Sequence, residues 1–395
     1  MPPAPAARDR RATPFEIFFD LVFVFALTRI MALIGQPPTL VAMAQGLLLL
    51  VLLWIAWGSY TWLGNQTPAD VGVVRAGVLV GMAALFVAAL VMPRAWTPGP
   101  GLDGPLLLAL AYVLLRVVHL TLYHWAAGSV PGLRARIRFF AGISVLSWVP
   151  LLLGALLGGA VQPVLWVLAF VVEIGGQRLS YGRRGAWPLQ SPSHFSERHG
   201  LVVIIALGES LVAAGVGASP AVTALPVLGV AVLGLTVTVC LWWLYFDAAA
   251  PAGARALRAA TGDRRDRIAS DAYSQAHVLL IIGVIYLAVG IEQVLAHVAE
   301  PYAAEPDTGG HHAVGSSLAW PTAVALYGGA ALYLAGRLLF LRLSTGAVEP
   351  VQVAFAALAL LLTPLGHVLP AVVALGVLAL LLISAAGHER LSRGG

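Results

Sequence analysis

Among the ionisable residues inside long apolar runs of this chain, Arg29, Arg116, His119, Glu173 and Glu209 are the candidates for chemistry. A charge in hydrocarbon is costly, and such residues persist there as paired groups or as parts of ion, proton or ligand sites. A guanidinium can hold a carboxylate or phosphate through two parallel N–H bonds. A dehydrated carboxylate favours its neutral form unless a cation stays close, so a partner that moves can make it take up and release a proton. His119, three residues after Arg116, reads either as a neutral hydrogen-bonded imidazole or as a proton relay. Arg116 and Glu173 each lie about 12 residues from the start of their runs, so a common helical rise puts them at similar depth. Arg29 and Glu209 also occupy comparable positions. Two opposite-sign pairs are therefore expected, and they would either fix helix packing alone or form a substrate or coupling site.

The elements that must carry these residues are twelve apolar stretches: 16–35, 39–63, 71–92, 104–127, 137–159, 161–178, 199–217, 221–247, 271–297, 319–343, 350–367 and 369–387. Most are near the roughly 20 residues that cross about 30 Å of hydrocarbon. With 59% hydrophobic residues, 10% charged residues and a mean hydropathy of +0.88, the chain is not a soluble globular protein. The fold class expected is all-α, a polytopic integral membrane protein of about twelve transmembrane helices. There is no lysine, and threading from a cytoplasmic N-terminus puts 19 of the 23 arginines on one side. Arg94 falls on the other side, and Arg29, Arg116 and Arg337 fall within spans. That asymmetry orients both termini to the cytoplasm. The pI near 9.6 follows from short arginine-bearing loops facing anionic lipid and is not read as a nucleic-acid signal.

The lone Cys240 excludes an intramolecular disulfide and a cysteine zinc site. Residues 1–15 read as a disordered cytoplasmic tail, followed by an uncleaved first span. The 248–270 segment holds five arginines with Asp263 and Asp266 and reads as a helical cytoplasmic connection. The 298–317 segment carries acidic residues with His311 and His312 and reads as an external loop; a solvated loop and a metal-binding histidine pair are the two readings of it.

The two halves, 16–184 and 185–390, show a tandem similarity in the same orientation. Leu21-Val22 to Arg29 parallels Leu201-Val202 to Glu209, and Leu53-Trp54-Ile55-Ala56-Trp57 parallels Leu241-Trp242-Trp243-Leu244-Tyr245. Arg75 precedes Gly81 as His277 precedes Gly283, and Tyr112-x-x-x-Arg116 parallels Tyr333-x-x-x-Arg337. Parallel six-helix repeats of this kind are common in transporters, with the site at the interface of the halves.

A second polar layer lies at the cytoplasmic ends. Glu16 and Asp20 share a helix face at i, i+4, and Arg198, Asp247 and His277 belong to the same level. These five residues read as a gate of carboxylate–arginine pairs. The aromatic stretches that end at Asp20 and Asp247 equally suit anchoring at the headgroups.

No Walker loop, dinucleotide fingerprint, HExxH or serine-elbow motif occurs, and no cofactor is called for. Glu16-Ile-Phe-Phe-Asp-Leu-Val-Phe-Val-Phe25 resembles the opening motif of the bacterial low temperature requirement A family. So do the Glu197-Arg-His-Gly to Ala-Leu-Gly-Glu-Ser210 block, Leu241-Trp-Trp-Leu-Tyr-Phe-Asp247 and the segment from His277 to Gly290. The resemblance implies a multi-pass protein of the bacterial inner membrane and names no solute or mechanism. The function expected is a proton-linked transporter or channel-like protein for a small solute, with membrane lipids as neighbours. The alternatives are an intramembrane enzyme or lipid-binding protein for an isoprenoid or other long-chain lipid, and a structural stress-adaptation component.

Overall fold

The computed structural model describes residues 10–35, 38–97, 99–100, 102–128, 130–303 and 317–394. Twelve helices among them are long and apolar enough to cross a membrane: α1 (Pro14–Ile34), α2 (Leu40–Gln66), α3 (Gly72–Arg94), α4 (Gly104–Ala126), α5 (Pro131–Leu157) and α6 (Val161–Arg183), followed by α7 (Pro192–Ala221), α8 (Leu225–Ala259), α9 (Gly262–Ala303), α10 (Trp320–Thr345), α11 (Pro350–Val368) and α12 (Ala371–Ser392). No β-strand occurs among the described residues. This is the all-helical solution that hydrocarbon imposes, because each backbone N–H and C=O must be satisfied within its own segment. The outward faces are as apolar as the packed ones: Leu146, Val149, Leu156, Val164 and Val171 are all exposed.

The chain divides into two compact units. The first comprises residues up to 34, 41–198 and 258–270; the second comprises 35–40, 199–257 and 271–395. One division falls within α7, between Arg198 and His199.

Several boundaries differ from expectation. Helices α8 and α9 run on through most of the 248–270 connection, which is helical over 250–259 and 262–267. Both contain a π turn, Leu244–Ala249 in α8 and Ile268–Ala276 in α9, and α10 has a third at Val324–Gly328. A π turn inserts one residue and rotates everything after it, so a regular 3.6-residue pattern cannot anticipate it. The tail expected to be disordered through residue 15 is structured from Arg10 onward: the Arg10 backbone N–H donates to Ser191 Oγ at 3.2 Å, and the Ala12 N–H to Glu197 Oε2 at 2.9 Å. Residues 1–9, His311 and His312 lie outside the described residues.

In the second unit α9 and α10 approach at glycines. A Cβ on Gly283 would lie 2.5 Å from the Tyr333 nitrogen, and one on Gly329 would lie 2.6 Å from the Leu287 nitrogen. Small residues at such crossings let the helix backbones meet.

Candidate functional site

The first helix is started by a capping box. Thr13 precedes Pro14, the Thr13 N–H donates to Glu16 Oε2 at 2.9 Å, and the Glu16 N–H donates back to Thr13 Oγ1 at 3.3 Å. That cap uses one carboxylate oxygen and aims the other into the bundle. Glu16 Oε1 meets His194 Nε2 at 2.8 Å, Arg198 Nη1 at 3.4 Å and Arg10 Nη2 at 3.6 Å. A Cβ at Gly64 would lie 2.5 Å from this oxygen, so α2 needs a glycine there.

One turn later Asp20 Oδ1 accepts from Arg198 Nη2 at 2.5 Å and from Trp57 Nε1 at 2.8 Å. A single guanidinium on α7 thus bridges two carboxylates at i, i+4 on α1. Glu16, Asp20 and Arg198 are each no more than 2% exposed. Asn65 locks the start of α7 beside them, donating to Ser191 O at 2.8 Å while its Oδ1 accepts from the Gln190 N–H at 2.8 Å. A small cavity lined by Glu16, Phe19, Tyr60, Gly64, Val78 and Arg198 adjoins the cluster.

Deeper in the same unit, Arg116 on α4 and Glu173 on α6 form a buried ion pair, Nη2 to Oε1 at 2.5 Å. Serines complete it. Ser144 Oγ and Ser147 Oγ, both on α5, donate to Glu173 at 3.0 and 2.6 Å. Arg116 also donates to Ser144 Oγ at 3.3 Å and to Ser59 Oγ on α2. The Phe140 ring lies 5.5 Å beneath the guanidinium. Four helices therefore converge on one charge pair, at the depth their positions along α4 and α6 require. His119 follows on the same face of α4, with its ring centroid 5.6 Å from those of both Tyr60 and Tyr123.

The other expected site residues are placed differently. Arg29 belongs to the first unit and is half-buried on α1, with no hydrogen bond to its Nε. Glu209 belongs to the second unit and is buried on α7. Of the five residues expected at the gate, Glu16, Asp20 and Arg198 come together in the first unit. Asp247 and His277 belong to the second. Asp247 is exposed and accepts from Trp243 Nε1, with Arg390 at 4.0 Å. His277 is fully buried, its Nε2 2.7 Å from Tyr245 Oη and its ring stacked on Tyr273 at 5.4 Å. Tyr245 and Tyr273 both lie in π turns.

Arg337, which no sequence argument paired, has its partner on α12. It donates through Nε to Leu244 O at 2.8 Å, reaches Gln352 on α11 at 3.5 Å and pairs with Glu389. The sequence missed Glu389 because the last apolar run was ended at residue 387, whereas α12 continues to Ser392. It also missed Arg10 and His194, which lie outside the apolar runs, and the hydrogen-bond partners Ser59, Ser144, Ser147 and Trp57, which look like ordinary helix residues. An extended search for polar residues at the depth of Arg116 would have found the serines.

The protein RA0937 of Rhizobium meliloti (strain 1021) is 29% identical over 340 residues, which cover 84% of this chain and 77% of that protein. No solved structure matches the chain. The family model described as bacterial low temperature requirement A protein (LtrA) matches residues 11–387, a stretch that includes Glu16, Asp20, Arg116, Glu173 and Arg198. The chain belongs to the bacterial low temperature requirement A family of polytopic membrane proteins.

Proposed function

We propose that the protein is a proton-linked transporter or channel-like protein for a small solute in the bacterial cytoplasmic membrane. The observation that carries this reading is the Arg116–Glu173 pair: a full ion pair with three serine hydroxyls, buried in the middle of otherwise apolar helices. Packing alone does not call for such a group, since replacing a buried ion pair by apolar residues of similar volume is often neutral or stabilising. A carboxylate held by a guanidinium and hydroxyls can exchange one partner for a proton or a solute, which is the chemistry a coupled carrier needs. Arg29 and Glu209 are the further mid-span charges of this reading, and His119 is its relay. In it the Glu16–Asp20–Arg198 cluster is the first unit's inner gate, facing the arginine-rich, cytoplasmic side, and Asp247 and His277 are read as inner-gate residues of the second unit.

The reading is tested in proteoliposomes by following internal pH after an imposed gradient. Wild-type protein is expected to move protons above the rate of empty vesicles, and Glu173→Gln and Glu209→Gln are expected to reduce that flux. Proton movement equal to empty vesicles in all samples contradicts it. The lipid-binding alternative predicts a co-purifying long-chain lipid in native mass spectra of gently extracted protein, lost in Arg116→Ala. Its case is weakened by the engagement of the Arg116 guanidinium with Glu173, Ser59 and Ser144, which leaves little of it for a phosphate.

A further inference from the structure

One face of α4 is polar along half its length. Tyr112, Arg116, His119 and Tyr123 follow at i, i+4, i+7 and i+11, so they line a single stripe about 16 Å long at the helical rise per residue. All four are buried, none more than 4% exposed. The stripe is also under-satisfied. Arg116 Nε and Tyr123 Oη have no hydrogen-bond partner, and no hydrogen bond of ordinary geometry reaches either nitrogen of His119. Three other buried tyrosines are each satisfied by a backbone carbonyl. Tyr60 Oη donates to Leu115 O at 3.0 Å, Tyr327 Oη to Ala374 O at 2.7 Å and Tyr333 Oη to Leu241 O at 2.7 Å.

An unsatisfied buried donor or acceptor costs about 1–3 kcal/mol. Several of them in succession on one helix face are therefore the signature of ordered water, which pairs with otherwise orphaned groups. The stripe also has an end. Tyr123 packs at 5.4 Å on Trp187, which is half-buried, and the Arg136 guanidinium covers that ring at 5.7 Å. Beyond Trp187 lies the arginine-bearing edge of the bundle.

We propose that the inner face of α4 binds a file of water molecules running from the Arg116–Glu173 pair past His119 and Tyr123 to Trp187, forming a proton path open to the arginine-rich side. This deepens the transport reading and rests on it for the direction of use, though not for the presence of water. An excess proton enters from bulk water beside Trp187 and passes along the file through the Tyr123 hydroxyl. The His119 ring takes it at one nitrogen while releasing another proton from the second, so its net charge is unchanged. The proton ends on Glu173. The groups facing the file are Ser59 and Tyr60 from α2, Phe140, Ser144 and Ser147 from α5, Glu173 from α6, and Trp187 and Arg136 at its mouth. The net charge among them without an added proton is that of Arg136 alone, because Arg116 and Glu173 cancel.

Hydroxyl-radical footprinting of the full chain in lipid nanodiscs tests this, because radicals formed from bound water oxidise the side chains that touch it. His119 and Tyr123 are expected to be oxidised several-fold faster than the equally buried Tyr327 and Tyr333. Oxidation of all four at the same low rate overturns the proposal. Proton flux is then compared in Tyr123→Phe and Tyr333→Phe, with a several-fold loss expected only in the first. Equal flux in both overturns the path. A wet stripe in a protein that moves no protons refutes the transport reading and leaves the water file standing; a dry stripe in a protein that moves them refutes only the file.

Discussion

Arg337 of α10 pairs with Glu389 of α12, six helices after Arg116 of α4 pairs with Glu173 of α6. The parallel extends beyond the charges. Arg116 also contacts α2 through Ser59 and α5 through Ser144, and Arg337 contacts α8 through Leu244 and α11 through Gln352. Each unit thus clamps its second, fifth and sixth helices with an arginine on its fourth. Such matched contacts are what a tandem duplication would leave, and they fall on the Tyr-x-x-x-Arg segments at 112–116 and 333–337.

Removing one partner of the deep pair is expected to be costly. Arg116→Ala should destabilise the protein by about 3–5 kcal/mol, because the Glu173 carboxylate is left buried without its counter-charge. Replacing both partners, Arg116→Met with Glu173→Leu, should restore most of that stability and abolish proton movement. Thermal unfolding in mild detergent reads the first effect, and a double variant as unstable as the single one contradicts it.

Arg198 holds two carboxylates with one planar fork. Arg198→Lys keeps the charge but presents a single compact ammonium, which cannot serve Glu16 and Asp20 together. It should lower the unfolding temperature nearly as far as Arg198→Gln does. Wild-type stability in the lysine variant would mean that charge alone is enough.

Trp57 donates to a carboxylate that is fully buried. Trp57→Phe keeps the aromatic packing, including the ring contact with Phe23 at 6.1 Å, and deletes the donor. The expected loss is about 1.5–3 kcal/mol, the range for hydrogen bonds to charged groups. A loss near zero would show that another donor serves Asp20 Oδ1.

Glycines separate by what faces them. Gly283→Ala sets a Cβ against the backbone of α10 and should cost about 1–3 kcal/mol through overpacking. Gly142→Ala on α5 meets nothing within 4 Å and should stay within about 0.5 kcal/mol of wild type. Similar unfolding temperatures for the two variants would refute the close α9–α10 crossing.

Much of this architecture is legible in the sequence because hydrocarbon leaves few choices. Long apolar runs become helices, and depth along a run places Arg116 level with Glu173. Spacing alone puts Glu16 and Asp20 on one face of α1. What the sequence hides is reach and register. Arg198 contacts α1 across a long flexible side chain, and Arg10 and His194 join its cluster from segments with no apolar pattern. The π turns in α8 and α9 rotate Tyr245 and Tyr273 toward His277 by an extra residue that periodicity does not reveal. Serines at 59, 144 and 147 acquire meaning only once Arg116 and Glu173 are seen to meet among them.

The central claim is that the buried Arg116–Glu173 site handles protons, and proton flux through Glu173→Gln proteoliposomes tests it most directly. Internal pH is followed after an acid step, beside wild type and empty vesicles, with equal amounts of folded protein confirmed by gel filtration. The account predicts flux above background for wild type and a loss to near background for Glu173→Gln. Wild-type flux in the folded variant would contradict it and leave the pair as a packing device.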